Sequence, residues 1–154
     1  LYTIPSIALF VLMPLILGTS IISPVNVLVA LTIYTMALMV RSGVDAFNAV
    51  PEHVVESSRA LGYTPARAFF TVELPLALPV LFAGIRVATV ANIAMVSVGA
   101  VIGVSSLGTL FTDGLARNIP AELITGVVLS AVLAYLADAL LALTARRLTA
   151  WRTA

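Results

Sequence analysis

Two uncharged apolar runs stand back to back at the start of this chain, and they leave few folds open. Ile4–Ile22 is nineteen residues without a charge, close to the roughly 20 that an α-helix needs to cross a bilayer. Ser23-Pro24 makes a turn, and Val25–Val40 is a second uncharged run, short alone but adequate with its interfacial flanks, closed by Arg41. Similar runs cover about 76–104 and 123–144. In hydrocarbon each backbone polar group must be satisfied within the protein, so runs of this length become helices. The fold expected is all-α: a polytopic membrane bundle forming a single domain over 1–154, with spans at about 4–22, 25–40, 76–104 and 123–144. Composition agrees, at 61% hydrophobic, 10% charged and mean hydropathy +1.14, far too apolar for a soluble domain of this length.

Details of the runs set further expectations. No basic region precedes the first run, so a signal peptide is not supported. Pro5 stands near its start and Pro14 inside it, which predicts a kink between Val11 and Leu15. The third run, at twenty-nine residues, exceeds one untilted crossing and predicts a tilted helix followed by irregular chain from about Gly99. Gly99, Gly103 and Gly108, with Ser105 and Ser106, suit close packing or a re-entrant turn. Phe111–Glu122 reads as a short polar connection carrying Asp113, Arg117 and Pro120. Arg146, Arg147, Trp151 and Arg152 close the chain at a membrane interface.

The polar stretch 41–75 breaks this pattern. Pro51 starts a helix as a first-turn proline, with Glu52 beside the positive helix end. Val54, Val55, Ser58 and Leu61 fall on one helical face, and Gly62 is the natural stop because it accepts a left-handed backbone. Thr64-Pro65 restarts the chain as N-cap and first helical residue. A second short helix carries Phe69, Phe70 and Val72, and Leu74-Pro75 leads into the next run. The result is a helix–glycine–helix knob with an apolar face and no core of its own, which requires a partner.

The spacing Glu56-Ser57-Ser58, three residues, Gly62, nine residues, Val72-Glu73-Leu74-Pro75 resembles the EAA coupling loop of ABC importer membrane subunits. It departs from that pattern by Ser-Ser for Ala-Ala and Val for Ile, both conservative in size. The competing reading is an ordinary amphipathic loop between membrane helices. Further stretches narrow the likeness: Val72–Val80, Ala83–Thr89, Ile4–Leu9 and Ser106–Gly108 are similar to permeases for glycine betaine, carnitine, choline and proline betaine. Members of that family usually have further helices ahead of this chain's first residue, which implies a fragment or incomplete N-terminus. Permeases for methionine, sulfonates and phosphonates share the loop but differ in its flanks.

The resemblance implies a permease subunit of a bacterial inner-membrane importer. Its solute would be a quaternary-amine osmoprotectant; another small solute, such as an amino acid or sulfonate, is the alternative. It implies three partners: a cytoplasmic ATPase subunit, a second permease subunit and an extracellular solute-binding protein. It also implies that this chain is not itself an enzyme and carries no cofactor, ATP and Mg belonging to the ATPase. In that scheme the knob from Glu56 to Leu74 enters a cleft on the ATPase with Leu61, Phe69 and Phe70 as apolar anchors. Gly62 permits the tight turn, and Glu56 braces the loop against Arg59 or a helix end. A quaternary ammonium is best held over aromatic faces, and only 7% of the residues are aromatic; recognition therefore falls to the receptor.

Orientation comes from arginine, since all eight basic residues are arginine. Arg41, Arg59 and Arg67 lie in the loop and Arg146, Arg147 and Arg152 in the tail, against Arg117 alone on the other side. The positive-inside rule puts loop and C-terminus in the cytoplasm, and the parity of four spans gives the same answer. Two charges, Arg86 and Asp138, fall inside spans, each on the order of 11–12 Å from the expected cytoplasmic end. Intramembrane charges pair or line a polar cavity, and the hypothesis taken is that these two face each other. The more ordinary alternative has Arg86 snorkelling to the headgroups and Asp138 facing water.

Other chemistry finds little footing. With net charge +1 and no basic cluster there is no nucleic-acid signal. Cysteine is absent, and the single histidine, His53, lies in a polar loop without a second ligand nearby. No Ser-His-acid arrangement appears, and no GxxxxGK[ST] phosphate loop. Thr89, Asn92 and Ser97 are possible pathway residues, though such hydroxyls also bond back within their own helix. Phe10, Tyr34, Phe82 and Tyr135 read as packing. A secondary transporter would want inverted repeats or broken helices with midplane ligands; no internal repeat is seen and the long structured loop would be unexplained, and a membrane scaffold docking another partner is the remaining rival.

Overall fold

The computed structural model describes residues 6–149; Ile4, Pro5, Trp151 and Arg152, to which the sequence assigns roles, lie outside the described residues. Among the described residues seven α-helices follow in order: α1 (Ser6–Leu17), α2 (Pro24–Asn48), α3 (Glu52–Ala60), α4 (Pro65–Ala68), α5 (Leu74–Val98), α6 (Thr109–Ala116) and α7 (Pro120–Leu148). Among the described residues there is no strand. A π-helical turn, Phe69–Glu73, joins α4 to α5 without a break, and a 3₁₀ turn, Gly99–Ile102, follows α5. Among the described residues three helical stretches, not the expected four, are long and apolar enough to cross a membrane: Pro24–Asn48, Pro65–Ile102 and Pro120–Leu148, with α1 too short.

Helix α5 is the centre of the bundle. It packs on α2 to one side and α7 to the other, while α1 leans on α2 and α6 on α7. Phe10 and Met13 of α1 pack with Val27, Ala30 and Leu31 of α2 and with Val104, backed by Met95, Val98 and Ile102. This cluster gathers the start of α2 and the end of α5, so it sits at the end of the bundle away from the knob. At the knob end the buried positions are small: Ala46, Ser58, Ala68 and Ala77. Two dense regions of different character therefore occupy opposite ends of the same two helices.

The first apolar run does not continue as helix to Ile22. Helix α1 passes through Pro14 and stops at Leu17, where the Thr19 N–H reaches back to the Pro14 carbonyl at 3.3 Å. The turn that follows is held by a residue the sequence reading passed over. Asn26, fully buried, donates its amide N–H groups to the carbonyls of Ser20 (2.8 Å) and Ile21 (3.4 Å) and accepts from the Thr19 hydroxyl. Unsatisfied turn carbonyls would be costly here, and one asparagine side chain serves them.

The other runs shift their limits for identifiable reasons. Helix α2 continues past Arg41 to Asn48, with Arg41 and Asp45 paired across one exposed turn at 3.7 Å. Irregular chain does begin at Gly99, and it folds back so that Ser106 Oγ donates to the Val96 carbonyl at 3.2 Å. Gly108 then lies directly on Ser97: a Cβ there would stand 1.9 Å from the Ser97 carbonyl oxygen. The expected polar connection 111–122 is mostly helix instead: all of its first half belongs to α6, packed against α7, and its last three residues open α7. The tight join between α6 and α7 carries Arg117 between Asp113 (4.0 Å) and Glu122 (3.8 Å).

Arg86 and Asp138 do face each other. The guanidinium meets the carboxylate with two parallel bonds, Nε to Oδ1 and Nη2 to Oδ2, both 2.7 Å. That fork geometry is specific to arginine. The pair ties α5 to α7. Arg86 is the middle residue of α5, about 18 Å of helix from either end at 1.5 Å per residue. Snorkelling is thus not the arrangement adopted.

Two outcomes follow for purified protein in detergent. Gly108→Ala forces backbone apart and is expected to lower thermal stability by about 1–3 kcal/mol. Gly43→Ala, which meets nothing within 4 Å on a regular stretch of α2, is expected to be neutral or slightly stabilising. Comparable melting curves for the two variants would contradict the close approach at Gly108. Separately, Arg86→Asp and Asp138→Arg should each reduce the yield of monodisperse protein, and the double exchange should recover it. A double exchange as poor as either single change would remove the pair as the α5–α7 tie.

Candidate functional site

The knob is assembled from local signals that each satisfy a helix end. Glu52 sits in the first turn of α3 and Arg59 in its last, both favourable to the helix dipole. At the other end the Gly62 N–H bonds the Arg59 carbonyl at 2.9 Å and the Tyr63 N–H bonds the Ser58 carbonyl at 3.2 Å. Those two bonds are the Schellman closure. It demands a left-handed residue, and Gly62 has φ +83°. Thr64 then caps the next helix, its Oγ accepting from the Arg67 N–H at 3.4 Å, with Pro65 as first helical residue. The Arg67 guanidinium lies 4.5 Å above the Tyr63 ring, bracing the elbow.

The second half of the knob is not a separate short helix. From Pro65 to Ile102 the chain is one helical stretch of 38 residues, with the π turn where an independent helix was expected to end. The turn lies just before Pro75, whose ring would crowd the Thr71 carbonyl in a regular α-helix and leave that carbonyl without a donor. A widened turn at Phe69–Glu73 absorbs the extra residue and lets the helix proceed. Knob and span are mechanically continuous.

Exposure sorts the expected docking residues. Leu61 and Phe70 stand out, 78% and 65% exposed. Phe69 does not; it is half-buried, stacked on Phe47 of α2 at 5.5 Å and 24°, with Phe70 edge-on to it at 5.1 Å. Glu56 and Ser57 are exposed, while Ser58 is buried with its hydroxyl bonded to the Val55 carbonyl at 2.7 Å. Among the described residues Glu56 is in none of the ion pairs, so the expected brace to Arg59 is not formed. Leu61 has left the face of Val54, Val55 and Ser58, because it is the C-cap and not a helical residue. Val72, Leu74 and Pro75 are half-buried in the π turn and at the entry to α5.

The three expected pathway residues separate in the same way. Thr89 bonds back to the Ile85 carbonyl at 2.8 Å and Ser97 to that of Ile93 at 3.5 Å. Asn92 reaches across instead, donating to Thr35 Oγ1 of α2 at 2.7 Å, while the Thr35 hydroxyl lies 2.7 Å from the Leu31 carbonyl. Thr35 was missed because a single threonine in an apolar run carries no signal until its neighbour helix is known. Asn92 and Thr35 line an open groove of about 360 Å³ with Leu28, Thr32, Met36 and Met39. The Arg86–Asp138 pair borders a second, about 570 Å³, lined by Ala83, Val87, Val90 and Ala91. Phe47 was also missed; nothing near it in the sequence marks it.

Comparison with known proteins places this geometry. The family model described as the inner membrane component of binding-protein-dependent transport systems matches residues 1–150. The osmoprotectant import permease protein OsmW of Salmonella typhimurium is 40% identical over 144 residues, covering 92% of this chain and 66% of the relative. The choline transport system permease protein OpuBB of Bacillus subtilis is 35% identical over 147 residues, covering 96% and 66%. An ergothioneine transport permease/ergothioneine binding protein, EgtU of Helicobacter pylori, is 37% identical over 138 residues, covering 90% of this chain but 24% of that protein. This chain thus spans just under two thirds of the first two relatives and about a quarter of the third. Among solved structures, the methionine ABC transporter MetNI in an inward-facing conformation superposes with TM-score 0.83 at 28% identity, over 96% of this chain and 70% of the other. The chain belongs to the family of inner membrane components of binding-protein-dependent transport systems.

Proposed function

We propose that this chain forms the permease part of an ATP-driven importer and that the knob is its point of contact with a separate cytoplasmic ATPase. The observation that carries the reading is the pair of large apolar side chains, Leu61 and Phe70, exposed on either side of the Gly62 elbow. A lone exposed leucine is ordinary. Two on a knob this well capped, without a core of its own, fit a cleft in a partner. ATP and its metal belong to that ATPase, and this chain supplies no phosphate-binding loop. A second permease subunit completes the path, and an extracellular binding protein delivers the solute.

The solute class favoured is a quaternary-amine osmoprotectant, on the strength of the osmoprotectant and choline permeases among the relatives. The ergothioneine permease and the methionine transporter support a second class, small amino-acid-like zwitterions. The knob and the end of α7 face the cytoplasm in this reading. Arg59 and Arg67 lie in the knob and Arg146 and Arg147 in the last turn of α7, Arg41 stands seven residues before the knob end of α2, and the one opposing arginine, Arg117, is held by two carboxylates. ATP binding by the partner moves the knob, and rigid-body rocking of the spans switches access to the path.

Capture of the cognate ATPase by the membrane-embedded protein tests this. The native chain should retain the ATPase, and Leu61→Asp should release it without a change in melting temperature, because Leu61 touches little of its own chain. Gly62→Pro and Glu56→Lys should release it as well, the first because proline cannot adopt φ +83°. Failure of the native chain to hold any ATPase would bring the secondary-transporter reading forward. Reconstituted vesicles then separate the solutes: ATP-dependent uptake of choline or glycine betaine, but not methionine, is expected.

A further inference from the structure

We infer that Phe47 is a positioning residue for coupling: it links the ATPase-facing knob to α2, so that one displacement of the knob is delivered to two spans together. The inference rests on the proposed function for its direction, and on geometry for its parts.

Three aromatic rings form a short ladder from the knob surface to α2. Phe70 is exposed, Phe69 meets it edge-on at 5.1 Å, and Phe47 stacks on Phe69 at 5.5 Å. Phe47 stands one residue before the end of α2, so a push on Phe70 reaches the last turn of that helix through ring contacts. The same push reaches α5 through the backbone, because α4, the π turn and α5 are continuous. Beside the ladder the buried positions are Ala46 and Ala68, too small to bind the elements by area. The rings supply the grip.

The π turn aims Phe69. Its extra residue rotates everything upstream relative to α5 by about 100°, the angular step of one helical residue. Without it Phe69 would leave the bearing on which it meets Phe47. The wide turn beside Pro75 and the phenylalanines at positions 47 and 69 thus act together: the turn sets the bearing of Phe69 and the stack joins it to Phe47. Thr71, exposed on this turn with its hydroxyl bonded to the Arg67 carbonyl at 2.6 Å, marks where the extra residue is removed with least disturbance.

The test uses the complete transporter in proteoliposomes and reads solute moved per ATP hydrolysed. Phe47→Ala should keep the ATPase bound and hydrolysing but lower that ratio about three- to tenfold, the equilibrium weight of one aromatic pair. Phe47→Tyr should retain it. Phe47→Ala with Phe69→Ala should be no worse than the poorer single change, since both remove one contact. Deletion of Thr71 should lower the ratio in the same way. A native ratio in Phe47→Ala, with the ATPase held, overturns the inference alone. Parallel losses of melting temperature and ATPase capture in Phe47→Ala also overturn it, by making the stack merely structural. If the native chain holds no ATPase, the functional reading falls and the inference falls with it.

Discussion

A peptide group in hydrocarbon has nowhere to turn but its own chain, and most of this structure follows from that constraint. Long runs become helices because nothing else closes the backbone bonds within one segment. The interruptions then reveal where other groups take over. Asn26 serves the carbonyls of the turn after α1, and Ser106 reaches the Val96 carbonyl where the chain leaves α5. The π turn is a third solution, in which the backbone reorganises its own ladder around Pro75. In each case an irregularity is tolerated because its polar groups are met on the spot.

Holding the helices together is a separate problem, since lipid offers little hydrophobic incentive for association. The bundle answers with a different device at each level. A conventional cluster around Phe10, Met13 and Leu31 holds one end. The Thr35–Asn92 contact and the Arg86–Asp138 fork bind α2 to α5 and α5 to α7 in the middle. Small residues and one aromatic stack hold the knob end. Helix α5 takes part in all three, so no neighbour moves without reference to it.

Much of this was legible in the residues, and the limits of legibility are physical. Helical class, the Gly62 elbow and the cap at Thr64-Pro65 are local, set by the backbone preferences of a few neighbouring residues, and the structure follows them. The facing of Arg86 and Asp138 was available as a hypothesis because buried charges must find partners. What escaped were contacts between distant residues of ordinary type: Asn26 with the preceding turn, Thr35 with Asn92, Phe47 with Phe69. The inward turn of Phe69 escaped for a related reason, since a π turn shifts every upstream side chain by one step while leaving the hydrophobic pattern unchanged. Arg41 marks the end of an uncharged run, whereas helix α2 itself runs on to Asn48.

The unbroken stretch from Pro65 to Ile102 has a leverage that neither of its ends displays. Thirty-eight residues make a rod about 57 Å long at 1.5 Å per residue. A tilt of about 10° around its midpoint would carry each tip through about 5 Å in opposite senses, roughly the pitch of one helical turn. The far tip is where the chain doubles back onto Ser97 at Gly108. Moved as one body, the stretch would displace its far tip in the sense opposite to any displacement of the knob.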